Sequence, residues 1–330
     1  YYSSLNTNKR GVVLDLKTES GRRGLDALLA TADVVIENYR PAAAAELNLT
    51  PAALAARHPH LVVVTISSYA RGSDRERSAS YDLIAQAESG IMSVTGEADG
   101  APVRAGVAIS DLAAGLWAAM GAMAAYARRL RDGVGSHVEV PLMDAALSLL
   151  SYSATAALAT GDDPGPVGSG HHNIVPYRAF ATADGWVAVA VLGDKFWPKL
   201  CAAMDREDLA HRRDLVTNEE RAAARAEVDA AVEEAIGALT TAEALGRLED
   251  SGVPHAPINS VLQALDTPYV RQRGLVADAG EGSRAYSIVQ GPLRDGRRPR
   301  PAPGIGEHTE EVMSEVLAAD STDLAEILDR

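Results

Sequence analysis

The chain of 330 residues has one cysteine, Cys201, and only two phenylalanines. A single thiol excludes an intrachain disulfide framework and any metal centre built on cysteines. A reducing cytoplasm is the setting this predicts. No run of about 18 apolar residues is free of charges or glycine breaks, so no membrane span is expected, and no signal-peptide pattern is present. Positive charge is scarce: 31 Lys and Arg stand against 45 Asp and Glu, a net charge of −14. That sets nucleic acid aside as a general partner. An anionic ligand would have to be held by local donors and a few basic side chains. Two catalytic signatures are also missing. Gly168-Ser169-Gly170 has no strand–loop–helix setting and no following Gly-Lys-Ser/Thr, which excludes a nucleotide hydrolase. No G-x-S-x-G elbow exists for a serine hydrolase.

What is present is the balance of a globular protein, 47% apolar and 23% charged, long enough for one large or two ordinary domains. The chain opens on Tyr1-Tyr2-Ser3 rather than Met, and a natural segment is expected to precede it. Residues 11–16 (GVVLDL) read as a buried strand, 20–32 as a helix with Leu25, Leu28 and Leu29 on one face, and 33–39 as the next strand. Thr50 and Pro51 open a helix over 50–59, and LVVVTISSY (61–69) reads as a strand. This alternation predicts a parallel sheet covered by helices, its Val/Ile runs buried on both faces. Helices are predicted over 81–92 and 112–131, the second ending at Gly133 behind Arg128, Arg129 and Arg131. A strand and helix are predicted over 136–158, a loop over 161–173, and a hairpin turning at Asp184-Gly185 over 177–192. Helices at 196–204, 218–237 and 241–250 complete a small α+β domain, and the tail is coil, then helix. The basic stretch 294–301 reads as a solvated loop.

Several short motifs could carry chemistry. His171, His172 and Asn173 are adjacent, so the two His do not share a helix face, and no carboxylate stands at ligand spacing; no metal is expected. His137, His255 and His308 are isolated and read as structural. Glu37-Asn38-Tyr39-Arg40-Pro41 closes a strand, at the edge where open α/β sheets bind ligands. Asn38 offers an amide, Tyr39 a stacking face and Arg40 a charge suited to phosphate, although a plain turn would look the same. The glycines at 168 and 170 suit either a linker or a loop that approaches a ligand closely. Asp111, in GVAISDLAAG, is a good helix cap. The same position also suits a nucleophile: the helix end would keep the carboxylate ionised, nearby N–H groups could hold an oxyanion, and Ala113, Ala114 and Gly115 would leave the first turn open. Both readings remain open on these residues.

The blocks NTNKRGVVLDLKTESGR, ADVVIENYRP, YDLIAQAESGIMSVTG, ISDLAAG, GHHNIVPYRAFATADGW and GIGEHTEEV, spaced from about residue 6 to about 316, resemble in their order the class III CoA-transferases, the family of formyl-CoA and carnitine CoA-transferases. The resemblance implies an α/β fold: a Rossmann-like large domain built from both chain ends, with an inserted small α+β domain, in an interlocked homodimer. Residues 1–160 would form the N-terminal part of the CoA-binding domain, 161–179 a glycine-rich linker, 180–265 the small domain and 266–330 the return. It implies a segment before Tyr1 carrying the family's first strand. It implies coenzyme A as substrate carrier, Asp111 as nucleophile, and aspartyl anhydride and aspartyl-CoA intermediates. Gly168, Ser169 and Gly170 match the family's mobile glycine loop. Leu14, Asp15, Leu16 and Lys17, with Asn38, Tyr39 and Arg40, match CoA-contacting stretches; Ala79, Ser80, Tyr81 and Asp82 match a segment lining the pocket near the acyl group. Glu46 stands where some members have an arginine for CoA. The same fold carries α-methylacyl-CoA racemases, which need two proton-transfer groups. Here Tyr81 stands at their histidine and Gly193 near their glutamate, which favours transferase. A non-catalytic CoA-binding protein is the remaining alternative, distinguished by whether CoA exchange occurs and depends on Asp111.

Overall fold

A computed structural model describes residues 1–294, 296–317 and 322–328. The chain forms two compact units. The first comprises Tyr1–Ser89, Gly106–Ser151 and Leu265–Arg330, the second Gly90–Ala105 and Tyr152–Ala264.

The first unit is built on a parallel three-stranded sheet in the order β1 (Val34–Glu37), β2 (Val62–Ser67), β3 (His137–Pro141), with Ile36 opposite Val64 and Val64 opposite Val138. The central strand explains the unbroken apolar run: Val62, Val63, Val64 and Thr65 are all buried, as a strand covered on both faces requires. Helices precede and connect the strands: α1 (Glu19–Thr31), α2 (Pro51–Arg57), α3 (Asp82–Glu88), α4 (Ile109–Asp132) and, after β3, α5 (Leu142–Ser148). The hydroxyl of Thr18 accepts from Gly21 N–H and starts α1, and that of Thr50 accepts from Ala53 N–H and starts α2, with Pro51 in its first turn. Helix α4 lies close on the sheet. A Cβ at Gly121 would come within 2.7 Å of Val138 Cγ1, so only glycine allows this approach.

Several sequence expectations need correction. Residues 11–16 form no strand. Their backbone groups are taken up by the C-terminal part of the chain instead: Gly11 N–H donates to His308 Nδ1 and Val13 N–H to Thr309 Oγ1, while His308 N–H donates to Gly11 O. Leu14 packs with Met313, Leu324 and Ile327 of the two C-terminal helices, Thr309–Val316 and Thr322–Leu328. Helix α4 begins at Ile109 rather than 112, which places Asp111 inside its first turn instead of at its cap. The stretch 136–158 is no single strand–helix unit. After α5 the helix breaks, Ser151 takes φ 45°, and a new helix runs Ser151–Thr160. Among the described residues no single helix is long and apolar enough to cross a membrane.

The second unit holds an antiparallel sheet of Tyr177–Ala181, Trp186–Ala190 and His255–Pro257. The first two strands form a hairpin whose turn contains Asp184 and Gly185, since Phe180 pairs with Val187 and Ala181 with Trp186. Against the sheet pack helices Trp197–Ala203, Arg225–Gly237 and Thr241–Ser251, the last opened by a reciprocal Thr240–Glu243 cap. The predicted helix 218–237 is two helices, Asn218–Ala223 and Arg225–Gly237, meeting at Ala224. Arg221 is fully buried at the hub of this unit. Its guanidinium donates to Val175 O at 2.8 Å, Leu215 O at 3.1 Å, Val216 O at 2.8 Å and Asp194 Oδ1 at 2.9 Å. Truncating it strands three carbonyls at once. Arg221→Ala should destabilise the protein by about 3 kcal/mol, read as a lowered midpoint in chemical denaturation; an unchanged midpoint contradicts the hub role.

Candidate active site

In parallel α/β units a crossover helix returns antiparallel to the strands, so its N-terminus lies at their C-terminal edge, where such sheets bind ligands. Helix α4 occupies that position between β2 and β3. Its capping residue, Ala108, has no side chain able to accept from the first turn. The acceptor comes from α3: Asp82 Oδ1 accepts from Ser110 N–H at 3.0 Å, and Asp82 Oδ2 accepts from Gln86 Nε2 at 2.7 Å. Asp82 is buried, and so is Ser110.

With the helix end satisfied by Asp82, the Asp111 carboxylate accepts no hydrogen bond among the described residues and is exposed. Loss of surrounding water, and secondarily the negative charge of Asp82, push its pKa above the ordinary carboxylate value. These two influences oppose the stabilisation of the ionised form expected from the helix end. Of the three small residues thought to leave the turn open, Ala113 and Ala114 are buried on the packed face. Only Gly115 looks onto empty space.

The segment Ala79–Asp82 thus meets the nucleophile candidate through Asp82. Ser80 N–H donates to Ser68 Oγ at 3.1 Å, while Tyr81 points outward. The loop after β1 stands at the same edge. Asn38, Tyr39 and Arg40 are placed there, with Tyr39 43% exposed, and the side chains of Asn38 and Arg40 make no hydrogen bond among the described residues. Glu37, which the sequence reading passed over, is buried beneath them and accepts from Tyr39 N–H at 2.9 Å. The signal was its place as the one carboxylate at the end of an apolar strand. In Leu14–Lys17, Leu14 belongs to the core and Asp15 Oδ1 accepts from Lys17 N–H at 2.9 Å, which leaves the Lys17 ammonium exposed and without a partner among the described residues. Leu16 lines a shallow cleft of about 250 Å³ with Arg22, Arg57 and Asn48. Glu46 is exposed at the end of the short helix Pro41–Glu46.

Gly168, Ser169 and Gly170 belong to the second unit. Gly168 takes φ 62°, and a Cβ there would come within 2.8 Å of Glu97 Oε2. The turn is tied on both sides: Gly168 N–H donates to Gly96 O at 2.8 Å, and Ala179 N–H to Ser169 Oγ at 3.0 Å. His171 stacks on Tyr152, 5.8 Å between centroids, and Arg225 holds the carbonyls of His171 and His172. Among the described residues no group of three His, Cys, Asp or Glu side chains is arranged to hold a metal.

The fold and this edge define an α/β protein with an unpartnered carboxylate at a helix N-terminus and basic side chains on neighbouring loops. Residues 1–309 match the model of CoA-transferase family III. The chain is 33% identical over 327 residues to a succinate–glutarate CoA-transferase of Agrobacterium fabrum, covering 98% of this chain and 82% of that protein. It is 32% identical over 333 residues to a succinyl-CoA:glutarate CoA-transferase of Homo sapiens, covering 99% and 76%. A solved CaiB/BaiF family protein from Brucella suis shares the fold with a TM-score of 0.84 at 31% identity, covering 96% of this chain and 84% of that one. The chain therefore belongs to CoA-transferase family III and is a CoA-transferase.

The raised Asp111 pKa has a measurable consequence for stability. Unfolded Asp titrates near about 3.9, and the folded state keeps the proton to higher pH, so stability falls as pH rises through that window. Asp111→Asn should therefore be more stable than the parent at pH 7, with the difference shrinking towards pH 4. Denaturation midpoints at the two pH values test this; a variant less stable at pH 7 overturns the sign.

Proposed function

We propose that the enzyme moves CoA between an acyl-CoA thioester and a free carboxylic acid through covalent intermediates on Asp111. The observation that carries this reading is the Asp111 carboxylate itself: exposed, bound to no donor among the described residues, and set in a helix first turn whose capping is done by Asp82. A carboxylate held above its ordinary pKa is more basic and, once ionised, the stronger nucleophile. An Asp111 oxygen attacks the thioester carbon, the C–S bond breaks, and CoA leaves as thiolate from a mixed anhydride. The thiolate attacks the aspartyl carbonyl, which releases the donor acid and forms aspartyl-CoA. The acceptor carboxylate then attacks that thioester and frees the thiolate again. Thiolate attack on the acceptor carbonyl gives the new acyl-CoA and restores Asp111.

Lys17 and Arg40 are the cations proposed to meet CoA phosphates, and Asn38 and Tyr39 its remaining polar and ring surfaces, because these groups are exposed on an otherwise acidic chain and Asn38–Arg40 follow directly on the end of β1. Small dicarboxylic acids are the proposed acid pair, since the named relatives act on succinate and glutarate. With acids of this kind and their CoA thioesters, Asp111→Ala should lose CoA exchange by at least about a thousandfold, and intact-mass analysis of the parent under turnover should show an adduct on the peptide carrying Asp111. Persistent exchange in Asp111→Ala defeats the covalent route.

We also propose a homodimer. Leu112, Leu116, Met120 and Met123 form a helical stripe on α4, 54%, 68%, 56% and 61% exposed. Four large apolar side chains along one helix face are a surface that a second copy would cover. The stripe starts beside Asp111, so the same contact would keep water from the anhydride. The double variant Leu116→Glu/Met120→Glu should sediment as a monomer with a retained helical spectrum; an unchanged dimer, or a monomeric parent, rules this face out.

A further inference from the structure

The steps above leave unused a set of charged side chains at the C-terminal edge of the sheet, centred on the buried Glu37. Glu37, the last residue of β1, is 7% exposed. Its Oε1 accepts from Thr65 Oγ1 of β2 at 2.6 Å and from Arg71 Nη2 at 2.8 Å, and its Oε2 accepts from Tyr39 N–H at 2.9 Å. Arg71 is gripped at its other end, because its own N–H donates to Glu139 Oε1 of β3 at 2.8 Å. The same Glu139 oxygen accepts from Ser67 Oγ at 3.1 Å. Since Thr65 gives its one hydroxyl proton to Glu37, His137 Nε2, 3.0 Å away, must donate to Thr65.

Three strands could be held together at lower cost by apolar side chains, since burying ions is expensive even when they are paired. What apolar side chains could not do is bind two loop amides. This network fixes Tyr39 N–H in the loop after β1 and Arg71 N–H in the loop after β2. The second loop leads directly to Ala79–Asp82, itself tied back through Ser80 N–H to Ser68 Oγ. Each amide is held by a carboxylate from a strand, so the sheet transmits its rigidity to both loops.

We infer that Glu37 and Arg71 are positioning residues for acyl-CoA: their ion pair sets the spacing between the Asn38–Arg40 loop and the segment carrying Asp82. This rests on the reading that Asn38, Tyr39 and Arg40 bind CoA. Neither residue touches the reacting atoms, so the brace acts on binding more than on chemistry.

The test is Glu37→Gln, which keeps the shape and one acceptor oxygen but removes the charge. KM for the acyl-CoA should rise about tenfold with kcat within about threefold, and the amide of Tyr39 should exchange its hydrogen faster. Arg71→Gln should behave alike, the double variant no worse than either single one, and Arg71→Lys should recover part of the KM. A folded Glu37→Gln with the parent's KM and the parent's Tyr39 protection overturns the inference. Should Glu37→Gln not fold, Arg71→Gln removes the other partner of the ion pair and carries the same test; a KM raised about tenfold supports the brace, and the parent's KM overturns it. Calorimetry of the parent with CoA separates the two readings. No CoA binding removes the loop's assignment and the inference with it, whereas normal binding with an indifferent Glu37→Gln removes the brace alone.

Discussion

The hydrogen bond from Ser110 N–H to the buried carboxylate of Asp82 organises the C-terminal edge of the parallel sheet. An uncapped helix N-terminus would recruit the nearest acceptor, and the nearest acceptor in the first turn of α4 is Asp111. Because Asp82 arrives from α3 to do that work, the Asp111 carboxylate is left with no hydrogen bond among the described residues. The same neighbour then acts through its charge, raising the pKa of Asp111 in the direction that desolvation already favours. One carboxylate caps a helix and the other stands unpartnered among the described residues, and what separates them is which of the two reaches the amide.

The rest of the first unit supports that pair. Strand β2 is buried on both faces and fixes where the loops after β1 and β2 begin. Glu37, Thr65, Arg71 and Glu139 convert the rigidity of the strands into fixed loop amides. The chain ends meet in this unit as well. Arg10 pairs with Glu311 and Glu315, Arg23 pairs with Asp323, and the apolar faces of the C-terminal helices close over Leu14 and Leu28. This docking holds residues 11–14 without any strand pairing; a turn follows in which Thr18 N–H donates to Asp15 O, and Lys17 is exposed on it.

Much of the fold was legible because it depends on near neighbours in sequence. The unbroken Val62–Val64 run can only be a doubly covered strand, Thr50-Pro51 can only open a helix well, and Asp184-Gly185 suits a tight hairpin turn. Where the reading failed, the missing information came from far along the chain. GVVLDL has the composition of a strand, but its backbone partners lie about 300 positions away, at His308 and Thr309. Glu37 was legible as the end of a strand; its burial and partners follow from Thr65 on the neighbouring strand and from Arg71, 34 positions along.

The amino-acid sequence by itself determined the α/β class, most of the elements of the parallel sheet and the hairpin, and, through its spaced resemblance to a known family, the chemistry expected of Asp111. It could not decide what Asp111 does at the helix end, because Ser, Asp and Asn at such a position are good caps wherever no better acceptor is present. Only the tertiary structure brings one, Asp82, across 28 residues to Ser110, and only burial sets the direction in which Asp111 titrates. Periodicity and local propensity are properties of a few adjacent residues. Capping by a distant side chain and the loss of water around a charge belong to the packed molecule alone.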